Sequence, residues 1–263
     1  MLGLGRGCWI AEISAVTGGI GYRTPLNHSW FDATAIIELI GVRVDDRLEK
    51  IQRLYERAVF GGDASALAEA ERHLSAVEAD LAVARGRVIH ARFLDAMSST
   101  LEAPNNVTDA LALFERASEL YRSLGDVRGE AEAQFWIGTF HQVVRHDDAA
   151  AVPALERARA LATQANDPLT LSYALRHLGI AEHRAGQLDE ARRYLEESTS
   201  LRRQLGFGPG VAANLVGLAY IAAGDGRSHE VSAMLSEADS IARDSAAAAI
   251  TRQIDEARQQ LTR

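Results

Sequence analysis

The sequence predicts an all-α fold, a solenoid of antiparallel helix pairs. Three periodic observations carry that expectation. The first is a small residue, a large apolar residue four positions on, and a small one three further. It reads Ala110, Phe114, Ala117; Ala151, Leu155, Ala158; Ala191, Leu195, Ser198; and Val231, Leu235, Ala238, with a weaker copy at Ala70, Leu74, Val77. The first members lie 40, 41, 40 and 40 residues apart. Offsets of four and seven place all three side chains on one helix face. The second observation is a glycine inside the preceding helical stretch, at Ile137-Gly138, Leu178-Gly179 and Val216-Gly217. Glycine within a helix costs about 1 kcal/mol relative to alanine, so its recurrence predicts a close approach of two backbones. The third is turn chemistry. Gly125, Asn166 and Gly206 stand where left-handed C-caps are expected, and Gly186 and Gly224 are expected to break the chain between paired helices.

Taken in order, residues 1–46 fit no repeat and read as an irregular segment that caps the array or covers its groove. Within them TGGIGYRTPLNHSW, residues 17–30, reads as loop, and FDATAIIELIGV as either a short helix or a buried strand. Residues 47–243 carry the repeats. Residues 244–263, with helical spacing and many polar side chains, read as a C-terminal capping helix. Asp45-Asp46 and Asp147-Asp148 suit helix N-termini, where the macrodipole favours negative charge.

Composition narrows the function classes. Of 263 residues, 47% are hydrophobic, 24% charged and only five are proline, a balance that favours helix. The net charge of −8 gives no global attraction for nucleic acid or anionic lipid, and direct nucleic-acid binding is not expected. Cys8 is the one cysteine, so an intrachain disulfide framework is excluded. Arg6 and Glu12 interrupt the apolar start of the chain, and no run approaches a membrane span. These features predict a soluble, cytoplasmic protein without membrane contact.

The chemical candidates are few. HLGIAEH, residues 177–183, has the look of a metallohydrolase helix. Its histidines are six apart, however, which sets them roughly 120° from each other on a helix, whereas two ligands on one face sit four apart. The glycines at 3, 5 and 7 and the run Gly18-Gly19-Ile20-Gly21 lack the strand-to-helix context of a phosphate loop. Ser and Cys lack a paired nucleophile signature. No catalytic residue, metal or cofactor is expected.

Leu175-x2-Leu178-Gly179-x2-Glu182 followed by Ala191-x3-Leu195, with Tyr220 after Val216-Gly217, resembles the W-x2-L-G-x2-Y…A-x3-F pattern of tetratricopeptide repeat proteins. That family's usual period is about 34 residues. The longer spacing resembles the helical sensor segments of bacterial transcription regulators. Arg145 replaces a turn glycine, and Gln134, Leu175 and Ala213 stand at the tryptophan position. The resemblance implies a right-handed superhelical solenoid and a non-catalytic, protein- or peptide-binding scaffold or regulatory module that uses its concave face, with a peptide, a partner protein or a second copy of the chain as partner. Carried over from the glycines, the implied groove lining is Glu132, Phe135, Thr139 and Gln142; Tyr173, Arg176, Ile180 and His183; and Val211, Asn214, Leu218 and Ile221. Packing of some of these on the next helix is the competing expectation. Thr139, Ile180 and Leu218 follow the glycines where the chaperone-tail clamp of the family has asparagine, which argues against that ligand. The alternative class is a small-ligand-binding protein or enzyme, with a pocket closed by the N-terminal segment bringing Cys8 or His28 near Tyr173, Arg176, His183 and Asn214.

Overall fold

The computed structural model describes residues 46–98 and 105–261. Ten α-helices follow one another among them: α1 (Asp46–Gly61), α2 (Ser65–Ser98), α3 (Asp109–Leu124), α4 (Val127–Thr139), α5 (Asp148–Gln164), α6 (Pro168–Arg184), α7 (Leu188–Gln204), α8 (Gly208–Gly224), α9 (Ser228–Asp244) and α10 (Ala248–Leu261). The described residues contain no strand. Each helix packs mainly on its neighbours in the chain, and α10 lies on both α8 and α9. This is an all-α helical repeat solenoid. The first helices of its pairs are α4, α6 and α8, and the second helices are α5, α7 and α9. No helix among the described residues is long and apolar enough to cross a membrane.

The two periodic series meet in space. A Cβ on Gly138 would lie 2.6 Å from Leu155 Cγ and 3.2 Å from the Ala151 carbonyl oxygen. One on Gly179 would lie 3.2 Å from both the Ala191 carbonyl and Leu195 Cγ. The helical glycines of α4 and α6 are therefore the seats for the small–large–small triplets of their partners. Leu155, Leu195 and Leu235 are fully buried, and the small residues flanking them let the backbones close.

Helix α8 departs from the expected register. Gly138 and Gly179 each lie eleven residues after the start of their helices at Val127 and Pro168, but Gly217 lies only nine after Gly208. The residue eleven along is Ala219, itself fully buried. A two-residue slip turns a helix by roughly 200°. Val211, Asn214, Leu218 and Ile221 therefore do not share a face with the groove residues expected on α6.

The turns show why the sequence departs from glycine where it does. Left-handed φ occurs at Gly125, His146, Asn166, Gly186, Gly206, Gly226 and Ala246. Gly224 is the last residue of α8, and Gly226 takes the turn expected of it. Beside Arg145, His146 carries the left-handed residue. Between α4 and this turn, Phe140–Val144 forms a π-helical segment, whose wider ring holds one extra residue. It falls within the one interval of 41 between Ala110 and Ala151.

Capping follows local chemistry. Asp126, Asp147 and Asp167 each accept hydrogen bonds from backbone N–H groups two or three residues on. Two of the helix junctions also carry buried carboxylates. Glu130 accepts from Arg122 at 3.0 Å and Arg157 at 3.2 Å, and Asp167 from Arg128 at 3.1 Å.

One triplet is corrected. Ala70, Leu74 and Val77 do not lie on a second helix docked like the others. They belong to α2, a continuous helix of 34 residues, and Leu74 is exposed. The C-terminal half of α2 takes the part of a first helix, seating Phe114 over Gly86. The readings for residues 1–45, including Cys8 and His28, lie outside the described residues.

Candidate functional site

The first helices are buried on more than one face. In α8 every residue from Gly210 to Ala222 is buried, and in α6 the run from Ser172 to Ala181 is unbroken. Such helices need apolar surface all round, yet these carry polar side chains. Thr139 and Gln142 belong to α4 and its π-helical continuation, Arg176, His177 and His183 to α6, and Asn214 to α8; all six are buried. Burying an amide or a charge without partners costs several kcal/mol, so their partners determine what the layer can do.

At the centre stand two guanidinium groups. Arg176 on α6 and Arg202 in the last turn of α7 are 1% and 0% exposed. Both donate through Nη1 to the same acceptor, Asn214 Oδ1, at 2.9 Å. Arg176 also donates to the Ala213 carbonyl at 3.1 Å and Arg202 to the Gly210 carbonyl at 2.9 Å. Asn214 Nδ2 donates to Ser198 Oγ at 2.9 Å, and that hydroxyl donates to the Ser172 carbonyl at 2.6 Å. The planar fork of arginine suits such carbonyl recognition. Three helices are thus joined through one amide. Burial lowers the Arg202 pKa to about 10.

Aromatic rings run alongside. Phe114 stacks on Trp136 at 5.5 Å, Trp136 meets Phe135 at 5.0 Å, Phe135 meets Tyr173 at 5.3 Å, and Tyr173 meets Phe207 at 5.9 Å. Arg202 lies 4.9 Å from the Tyr173 centroid and Arg87 5.7 Å from that of Trp136. Burial raises the Tyr173 phenol to about 12.

The histidines are held neutral. His177 Nδ1 is 2.7 Å from Gln142 Oε1, while Gln142 Nε2 donates to the His177 carbonyl at 3.0 Å and to Asp148 at 2.9 Å. Desolvation, then the charge of Arg176, pushes the His177 pKa well down. Burial, then Arg184, lowers that of His183. His90 on α2 sits between Phe93 and Trp136, and burial lowers it to about 4. Neither of its ring nitrogens has a hydrogen-bond partner among the described residues.

Of the twelve residues expected to line an open groove, only Glu132 is not buried. It stands at the rim, where Oε1 accepts from Arg87 Nη1 and Trp136 Nε1, both at 3.4 Å. Phe135, Thr139, Gln142, Tyr173, Arg176, Ile180, His183, Val211, Asn214, Leu218 and Ile221 are all buried. Burial corrects the picture of an open lining. The structure brings Arg176 and Asn214 together, and Tyr173 with Phe135, but the slip in α8 turns Asn214 toward Ser198 on α7. Arg202 was missed as a site residue although a signal existed. It continues the face of Ala191, Leu195 and Ser198 by four residues, where the other copies hold Tyr121, Ala162 and Ala242.

The family comparison falls on this region. Residues 169–244 match the family model described as tetratricopeptide repeat. These residues form tetratricopeptide-type repeats. Repeats of this family generally mediate protein–protein interactions, and the match spans Tyr173, Arg176, Arg202 and Asn214. No curated protein matches the chain. The HLGIAEH histidines belong to repeat packing within the matched residues, His177 through Gln142 and His183 as a buried residue of α6. Among the described residues no group of three His, Cys, Asp or Glu side chains could hold a metal ion.

Proposed function

We propose that this chain is a non-catalytic scaffold that binds a protein or peptide along its first-helix layer. The observation that carries the reading is the tetratricopeptide match over residues 169–244, since repeats of that family generally mediate protein–protein interactions. Solenoids commonly use the surface formed by their first helices. Glu132 and Arg87 form the entry rim. The α4 and α6 sets, Phe135, Thr139, Gln142, Tyr173, Arg176, Ile180 and His183, are the layer behind it. On α8 the register-matched residues are Ala213, Val216 and Tyr220, in place of the slipped set. Residues 47–243 form the array. Residues 244–263 cap it through α10, whose inner face is Ile250, Ile254 and Ala257. The lengthened spacing supports a cytoplasmic, bacterial regulatory role of the sensor-segment kind.

The test compares affinity capture by the wild-type chain with capture by Glu132→Arg and Arg176→Ala, after matching folded content by circular dichroism. The expected result is that both variants lose the same specific partner. Equal retention of every specific partner by both would defeat the first-helix assignment. Glu132→Arg perturbs only a half-exposed side chain, so its result does not depend on the fold surviving loss of a buried arginine.

A further inference from the structure

The long helix α2 carries a feature that the array does not use. Leu67, Leu74, Leu81 and Val88 recur at intervals of seven and are 53, 42, 47 and 48% exposed. Isolated exposed leucines are ordinary. Four at a strict heptad on one helix form a continuous row about 32 Å long at 1.5 Å per residue, the spacing by which one helix packs along another. A charged row runs beside it, four residues after each apolar member: Glu71, Glu78, Arg85 and Arg92. The N-terminal half is acidic and the C-terminal half basic. Among the described residues Glu71, Arg85 and Arg92 have no ion pair, and Glu78 meets Arg116 at 2.8 Å with both side chains about half exposed.

We propose that this face is the self-association surface of the protein, occupied by α2 of a second copy running antiparallel. Charge decides the occupant and its direction. A two-fold axis near residue 82 sets Glu71 against Arg92 and Glu78 against Arg85, twice each. Parallel pairing would set the acidic halves side by side, and the basic halves likewise. The same axis brings Leu74 of the second copy level with Val88 to Arg92. There an apolar groove of about 650 Å³ lies between α2 and α3, with Ala84, Val88, Ala112 and Leu113 in its wall. Such a groove would receive the incoming leucine.

Sedimentation velocity across the micromolar range tests this with the full chain. The wild type is expected to approach twice 28.5 kDa, and Leu74→Glu/Leu81→Glu to remain at the single-chain mass. Glu71→Arg/Glu78→Arg and Arg85→Glu/Arg92→Glu should each be monomeric alone and form a dimer when mixed, since one then carries four positive and the other four negative side chains along the row. All of these positions are exposed or at the surface, and circular dichroism confirms folding. A wild type that stays at the single-chain mass at every concentration overturns the proposal. So do charge variants that dimerise alone as well as the wild type, or a mixture that fails to dimerise.

Discussion

Replacing Asn214 by alanine removes the acceptor shared by two buried guanidinium groups. Asn214 Oδ1 takes one hydrogen bond from Arg176 and one from Arg202, each 2.9 Å, and Nδ2 gives a third to Ser198. A hydrogen bond to a charged group contributes about 1.5–3 kcal/mol, and a neutral one about 1 kcal/mol. Removing one partner of a buried charge costs about 3–5 kcal/mol. Arg176 keeps the Ala213 carbonyl and Arg202 keeps that of Gly210, which sets the expected loss near the lower end, about 3 kcal/mol. For a domain of this size each kcal/mol moves the midpoint by about 2–4 °C, so thermal unfolding followed by circular dichroism should shift down by roughly 6–12 °C. Asn214→Asp keeps an acceptor in place and should lose less than half as much. A loss below about 1 kcal/mol for Asn214→Ala would refute the shared-acceptor argument, because the arginines would then be satisfied without it.

The other predictions concern packing and protonation. Gly138→Ala should destabilise by about 1–3 kcal/mol, the cost of overpacking, because the new Cβ would sit 2.6 Å from Leu155. In contrast, Gly224→Ala should stabilise by about 0.5–1 kcal/mol, since its Cβ would meet Leu188 at an ordinary 3.5 Å; urea titration of the pair checks the opposite signs. His90 and His177 have folded pKa values below the unfolded value, His90 at about 4. The unfolded chain therefore binds protons that the fold refuses as pH falls below about 6.5. Stability is fully present above that pH and is lost toward pH 4, by up to about 1.4 kcal/mol per pH unit for each histidine. Denaturation midpoints measured from pH 7.5 downward should fall along this course. His90→Leu should be within about 1 kcal/mol of wild type at neutral pH and should remove the His90 share of the acid loss. An acid slope unchanged in His90→Leu would contradict the buried neutral imidazole.

Much of the fold was legible because close helix packing leaves a periodic mark. Gly138 and Gly179 meet the triplets read from the same sequence, and Gly125, Asn166 and Gly206 adopt the left-handed φ expected of them. What failed did so for identifiable reasons. Gly217 mimicked the glycine of the other repeats, but packing tolerates Ala219 at the equivalent place, so the motif slipped by two residues. Ala70, Leu74 and Val77 satisfied the triplet on a helix whose Leu74 faces outward. The twelve site residues were carried over by counting from the repeat glycines, and such a count does not reveal whether a neighbouring helix closes over a side chain. Arg202 sits in the last turn of its helix, where any cation complements the helix C-terminus. Only its register with Leu195 and Ser198, joined to the tertiary position of Asn214, reveals it as core.

Whether the first-helix layer meets the partner can be measured by hydrogen exchange of the full chain with and without the captured protein. The account predicts slower exchange at amides of α4, α6 and α8, centred on residues near Glu132, Arg176 and Val216. Slowing confined to α5, α7 and α9, with the first helices unchanged, would contradict it.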